Sequence, residues 1–379
     1  MGDPVRTDEL RTLFLFLADH DFAGYSPTYE RIARHVAASP ELLEFVDRAA
    51  APNSRRGRVP VLFHAALHDL ALTGTSTPLA RLMAGDSSVD AAAAVDLAIA
   101  EHGADIVTTM RTRSVQTNEV GRSAAIAAGL ATIDTGDRAI ALIECGPSAG
   151  LNLFVDRWHV ELLRDGTVLG TFGPSSSPVQ LCCELRGPDT PPIGPLPSIA
   201  ARTGVDPAPI DASDPVQARW LRACLWPDLP ERSARLEAAL SVVTLEPPSL
   251  VRGDAVTDLA PLVAAADPEL LPVVLSTWAM AYIPADGRAS LVAALDAIGT
   301  RRDLAMLTLE EPRFTPGIDS VDQFTSAYDD EGDGTPTLLS LRHWREGSVM
   351  TTPLAMCHPH GRWMAWSDDG FDHGERDDG

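Results

Sequence analysis

The stretch Ala139–Leu153, AIALIECGPSAGLNL, decides how the rest of the chain is read. A short apolar run leads into an acid, three small residues alternate, and a helical pattern takes over. That order predicts a buried strand, a tight turn and a helix start. Gly146, Ser148 and Gly150 let backbone come close to a ligand, and amides at the helix start turn partial positive charge toward it. Two chemistries use such a turn. One is a nucleotide-type cofactor site with Glu144 on a ribose. The other is a serine nucleophile elbow, since Gly146-Pro147-Ser148-Ala149-Gly150 satisfies G-x-S-x-G.

Bulk composition narrows the field. At 379 residues the chain suits one large or two medium domains, and 45% hydrophobic content with mean hydropathy near zero reads as a soluble globular protein. No apolar run reaches the roughly 20 residues of a membrane span, and the N-terminal stretch lacks a basic leader pattern, so a cytoplasmic protein without membrane contact is expected. Five cysteines, an odd number with Cys182 and Cys183 adjacent, do not make a disulfide framework. A net charge of −23 repels phosphate backbones and argues against nucleic acid, leaving small molecules as the expected partners. All 30 basic residues are arginine, which excludes a Schiff-base lysine, a Walker-type lysine and a Ser-Lys dyad.

Residues 1–135 read as helices and are expected to form an N-terminal helical cap, with Ser26-Pro27 and Ser39-Pro40 as helix starts. From 136 to 366 strands alternate with helices, the pattern of a mostly parallel α/β sheet. Within it a hairpin is expected about Asp165-Gly166, strands in VQLCCEL, LPVVLSTWAMAYI and LAMLTLEEP, a Pro/Gly-rich loop insertion over about 186–215, and an antiparallel meander in TLLSLRHW, VMTTPLAMC and GRWMAW. FTPGIDSVDQFTSAYDDEGDG reads as an acidic loop and residues 367–379 as an acidic disordered tail.

In the cofactor reading, Glu144 ends the first strand, Glu184 ends the next plausible one and takes a second ribose contact, and Asp254 ends a third in V-R-G-D-A. Gly146, Ser148, Gly150, Asn152 and Thr277 complete the expected cofactor set. A dehydrogenase is disfavoured because the turn lacks G-x-G-x-x-G spacing. The hydrolase reading makes Ser148 the nucleophile, with Asp254 and then His358 or His360 in chain order, but a helical third precedes the strand where an elbow follows several strands. Cys357, His358 and His360 lie close in sequence, yet Pro359 and Gly361 mark a hairpin turn, so no metal is assigned. Gln116, Asn118, Glu119 and Arg122 precede the organising strand and are candidates for the roof of a crevice. Trp278 and Tyr282 follow Ser276-Thr277 at a strand end where a substrate would lie.

With QTNEVGRSA, LIECGPSAGLNLFVDRW, CELRG, RWLRACLWPD, ERSARLEAAL, PPSLVRGDA, VVLSTWAMAYIP and HPHGRW in hand, the chain resembles a bacterial family catalogued only as a domain of unknown function. Its central half resembles class I S-adenosylmethionine-dependent methyltransferases. That resemblance implies a Rossmann-like, doubly wound sheet of seven strands, mostly parallel with the last antiparallel, and S-adenosylmethionine as cofactor. Methyl transfer to a small molecule would then use Glu119, Trp278 and Tyr282 at the chemical step and Gln116, Asn118, Arg122 and His360 on the substrate. The sequence departs from the pattern at Ser148, where such enzymes have glycine, and at Ser276-Thr277-Trp278, where they carry an acidic or Asn-Pro motif. A cofactor fold retained as a non-catalytic binding module is the remaining alternative.

Overall fold

In the computed structural model, which describes residues 4–52, 55–116, 118–318 and 336–367, helices come first and strands alternate with helices afterwards. The helices are α1 Pro4–Phe16, α2 Pro27–Ala38, α3 Pro40–Ala49, α4 Val59–Leu72, α5 Thr77–Met83, α6 Ala91–Thr112, α7 Ser123–Ala131, α8 Pro215–Ala223, α9 Pro230–Val243, α10 Ala255–Ala265 and α11 Ala285–Gly299. The strands are β1 Ile140–Cys145, β2 His159–Arg164, β3 Thr167–Phe172, β4 Gln180–Arg186, β5 Ile199–Asp206, β6 Ser249–Arg252, β7 Leu271–Thr277, β8 Leu304–Glu310, β9 Thr337–Arg345, β10 Ser348–Cys357 and β11 Trp363–Trp366. No helix among the described residues is long and apolar enough to cross a membrane.

The chain divides into two compact units, 1–117 with 211–236, and 118–210 with 237–379. In the helical unit, Ser26 and Ser39 accept the backbone N–H groups of Tyr29 and Leu42, the caps that the Ser-Pro pairs predict. Its core gathers Phe14, Phe22, Tyr29 and Phe63 about His64, which is fully buried. Desolvation drives the His64 imidazole down to about 4, so it stays neutral, bonded to the Pro60 carbonyl at 2.7 Å. The boundary falls at 117 rather than 135 because α7 packs on β8 and β9 and belongs with the sheet.

The sheet unit carries eleven strands in the order β3-β2-β4-β11-β10-β9-β8-β7-β1-β5-β6, not seven. Five of them, β6-β5-β1-β7-β8, are parallel. Strands β1, β7 and β8 are buried along their whole length, as their apolar runs require of a parallel sheet covered on both faces. On one face Ile143, Val274 and Met306 pack against Leu259 and Val263 of α10 and Leu291 and Leu295 of α11. On the other, Gly129 of α7 sits so close to Leu307 that a Cβ there would lie 2.6 Å from Leu307 Cδ1. Beyond β8 the sheet turns antiparallel through β9, β10 and β11, the expected meander, and β11 then pairs parallel with β4. The expected hairpin is β2–β3, with Asp165 and Gly166 both at left-handed φ.

One expectation fails beside β1. The Pro/Gly-rich segment 186–215 is not a loop throughout, because Ile199–Asp206 forms β5 beside β1. Only Ile199 and Val205 are large aliphatics in IAARTGVD, and five of its eight positions are not buried, so its hydrophobic signal is weak. The tail beyond 367 and most of the acidic stretch after Ile318 lie outside the described residues.

Small size at Gly204 of β5 is what lets β1 run into its turn. A Cβ at Gly204 would lie 2.9 Å from the Glu144 carbonyl oxygen and 2.7 Å from Pro147 Cγ. Gly204→Ala is expected to cost about 1–3 kcal/mol by forcing these groups apart. Gly166→Ala, with nothing within 4 Å of its Cβ but φ at +73°, should cost only about 1 kcal/mol from backbone strain. Thermal denaturation of the two variants against wild type checks the ranking.

Candidate functional site

Parallel register fixes what emerges at the C-terminal edge of the sheet. Cys145 is level with Val205 on one side and Ser276 on the other, and Ser276 is level with Thr308. The next residues, Gly146, Asp206, Thr277 and the β8 end Glu310, therefore leave the sheet at one edge. Strand order reverses between β1 and β7, and such reversals open a crevice at the strand ends.

The turn after β1 is held from β5. Gly146 and Gly150 take left-handed φ values of +69° and +75°, and so does Ser148 at +54°. A Cβ on Gly150 would come within 2.7 Å of Pro248 Cγ, and one on Gly146 within 3.2 Å of Ala279 Cβ. The two glycines thus serve the turn and its packing. Asp206 Oδ2 accepts the Ser148 N–H at 3.0 Å and Oδ1 accepts the Ala208 N–H at 2.7 Å. Asn118 Nδ2 donates to the Pro147 carbonyl at 3.2 Å.

A second turn, after β7, is held in the same way from β8. Trp278 takes φ of +57°, and Glu310 Oε1 accepts from Ser276 Oγ at 2.8 Å, Ala279 N at 2.8 Å and Met280 N at 3.0 Å. Two non-glycine residues in left-handed conformation, each costing about 1–2 kcal/mol, stand side by side at adjacent strand ends. Between them Asn152 Nδ2 donates to Glu144 Oε1 at 3.0 Å and to Thr277 Oγ1 at 3.2 Å.

Arg122, 2% exposed, lies with its guanidinium 5.7 Å from the Trp278 ring and donates from Nε to the Pro359 carbonyl at 2.9 Å. Glu119 accepts the Gly121 N–H at 3.0 Å. In the turn 358–361, His358 Nδ1 accepts the His360 N–H at 2.9 Å, and the His360 carbonyl packs against Gly121. Of the expected residues, the structure thus brings together Asn118, Glu119, Arg122, Glu144, Gly146, Ser148, Gly150, Asn152, Thr277, Trp278 and His360. Tyr282 is 37% exposed at the end of the turn that follows Trp278. Gln116 falls in the helical unit, where its N–H meets Cys224 Sγ at 3.4 Å.

Two expected acids stand elsewhere. Glu184 is on β4, with five strands between it and β1, and accepts the Asp165 N–H of the hairpin at 2.8 Å. It takes no part in the crevice, because the strand next to β1 is β5 and the acid at its end is Asp206. Asp254 follows β6 and is the exposed N-cap of α10, accepting the Val256 N–H at 2.9 Å. Asp206 and Glu310 are the acids that sequence reasoning missed. Both carried a signal, an acid at a strand end one or two positions before a proline, Asp206-Pro207 and Glu310-Glu311-Pro312. No group of three or more His, Cys, Asp and Glu among the described residues is placed to hold a metal.

Burial pushes Glu144 up to about 7, with Asp206 adding to the rise while the Asn152 bond and Arg122 oppose it. Burial likewise pushes Glu310 up to about 7 against its three donors and Arg122. Both groups start from 4.5 in an unfolded chain, so folding takes up protons between pH 4.5 and 7. Their contribution to stability is full below 4.5 and falls as pH rises to 7, by about 3 kcal/mol for each group. Glu144→Gln and Glu310→Gln should therefore gain on wild type in melting temperature as pH is raised through that window. Variant and wild-type curves that stay parallel would exclude the shift.

No curated protein matches the chain. The family described as an uncharacterized protein conserved in bacteria (DUF2332) matches residues 11–366, nearly the whole length. The match spans both units and every residue of the crevice, and the chain belongs to that family.

Proposed function

We propose that the sheet unit binds S-adenosylmethionine at the edge where β1 and β7 part, and transfers its methyl group to a small molecule. The observation that carries this reading is Asp206, an acid at the end of the second parallel strand that grips the turn after the first. In doubly wound sheets an acid beyond the cofactor turn of the first strand hydrogen-bonds a ribose hydroxyl, and Asp206 stands beside that turn here.

The residues present suit the group. Each Asp206 oxygen accepts one backbone N–H and keeps a lone pair for a ribose hydroxyl. Glu144 Oε2 and the Oδ1 atoms of Asn118 and Asn152 are buried without a hydrogen-bond partner among the described residues, which suits an ammonium or hydroxyl donor. Trp278 Nε1 is buried and similarly unmatched, a donor for an acceptor atom on the ligand. The cofactor supplies a methyl on a sulfonium leaving group, so most of the protein's work is positioning. In this reading Glu119, 3% exposed, takes the proton of an acceptor that arrives protonated, and Arg122 over Trp278 forms the wall beside it.

The left-handed φ of Ser148 favours a second reading, since a nucleophile elbow also needs it. Its Oγ, however, has no hydrogen-bond partner among the described residues, so no base is engaged.

Isothermal calorimetry with S-adenosylmethionine decides between these readings. Asp206→Asn removes the charge and keeps one of the two acceptors that hold the turn, and is expected to weaken binding at least tenfold, about 1.4 kcal/mol, with the melting temperature reporting whether the turn survives. Glu184→Gln should bind like wild type. Absence of binding at millimolar ligand to folded protein would end the cofactor reading, and labelling of Ser148 by a fluorophosphonate would put the hydrolase in its place.

A further inference from the structure

The proline-rich segment before β5, which the crevice leaves unused, forms one wall of a cleft of about 660 Å³ in the sheet unit. That volume falls in the range of small-molecule sites, about 300–1,000 Å³. The cleft lies at the far end of β5 from the crevice: Ile199, which opens the strand, lines it, and Asp206 closes the strand roughly 23 Å further along. Its apolar walls are Phe172 and Pro174 from the end of β3, and Pro195, Leu196 and Pro197 from the strap before β5. Proline fixes its own φ and restricts the residue before it, so Gly194-Pro195-Leu196-Pro197 is a stiff wall that loses little entropy when a ligand lies on it.

Arg202 brings charge to this cleft. Its Nη1 donates to Asp156 Oδ1 at 2.9 Å and to the Leu153 carbonyl, and its Nη2 donates to Asp156 Oδ2 at 2.8 Å. The Phe154 ring backs the guanidinium, its centre 4.9 Å from the central carbon. These bonds occupy the end of the group. Its side, the Nε–H with the second Nη2–H, bonds nothing among the described residues. That pair of parallel donors matches two oxygens of a carboxylate or phosphate. A staple between β5 and the turn before β2 needs only the end, which Asp156 fills. Arg157 lines the same cleft, 3.8 Å from Asp156 and bonded through Nη2 to exposed Glu246 at 3.3 Å, a pair too weak to hold it from a better partner. The lining thus sets two arginines against one carboxylate, in a chain whose net charge is −23.

The geometry points to a second binding site, one that takes a small organic oxyanion, a carboxylate or phosphate ester carrying a flat apolar group. The oxyanion is gripped by the open side of Arg202, with Arg157 turning from Glu246 to meet it, and the apolar body lies between Phe172 and the proline strap. A bare oxyanion leaves the apolar walls unused, and a neutral molecule of the same shape leaves the arginines unused. The site stands apart from the cofactor reading and does not depend on it. At the opposite end of β5 from Asp206, its occupant is too far from the strand-end crevice to be a reactant there.

Ligand-observed NMR titration of the full chain with phenyl phosphate, benzoate, benzamide and inorganic phosphate tests this. At least one of the two aromatic anions should bind about tenfold or more tighter than either benzamide or inorganic phosphate, and which of them binds tells phosphate ester from carboxylate. Arg202→Lys keeps the charge but loses the paired donors, and should weaken binding about tenfold or more. Ser198→Trp, at an exposed position of the lining, should block the cleft while leaving the Arg202–Asp156 pair in place, and Arg157→Ala should weaken binding severalfold; these two carry the test if the lysine variant does not fold. Neither aromatic anion binding to folded protein at about 10 mM, benzamide or inorganic phosphate binding as tightly as the anions, or Ser198→Trp binding like wild type would each overturn the site.

Discussion

Parallel register is the constraint on which the crevice depends. Because β1 is level with β5 and β7, whatever follows Cys145, Val205 and Ser276 must leave the sheet together. Chemistry then accumulates at one edge without any loop having to fold back over it. The cost is that carboxylates emerge where the sheet is covered on both faces. That cost is offset unevenly: Glu310 receives three donors, Asp206 two backbone N–H groups, and Glu144 the Asn152 amide. Glu144 is the least satisfied of the three, and it is the one at the centre.

The strain in the site follows the same plan twice. Ser148 follows β1 in left-handed conformation and is gripped by the acid that ends β5; Trp278 follows β7 likewise and its turn is gripped by the acid that ends β8. Each acid stands one strand further out and fastens the turn of its inner neighbour. A charge-assisted bond to a backbone N–H is about twice as strong as a neutral one, which is enough to hold a conformation costing a kilocalorie or two. Acids that look like ligand contacts are therefore also the supports of the surface the ligand would meet.

Much of this was legible in the sequence. The run IALIEC, the Asp165-Gly166 hairpin, the strands LPVVLST and LAMLTLE and the terminal meander all carry strong local signals and appear where they were expected. Strand β5 did not, because IAARTGVD has small, half-exposed residues between proline-rich flanks, and its identity as a strand comes from pairing with β1 and β6 rather than from its own pattern. That single omission moved the second acid from Asp206 to Glu184, since rank among strands is counted along the chain while the sheet counts neighbours. Glu310 was passed over for a different reason: its strand was recognised, but its three bonds depend on the path of β7 and the turn beyond it. Pairings between segments distant in the chain leave no local trace.

One such pairing bears on how the protein is made. The Arg122 guanidinium bonds the Pro359 carbonyl, and Gly121 lies directly against the backbone of His360 and Gly361, so the inner wall beside Trp278 is assembled from segments some 237 positions apart. A ribosome releases the first of these long before the second exists. Until the meander emerges, a nascent chain has β1, β5 and β7 available to pair but one side of the crevice open to water, with a guanidinium awaiting its acceptor. The wall beside Trp278 can therefore close only after the turn 358–361 has been made.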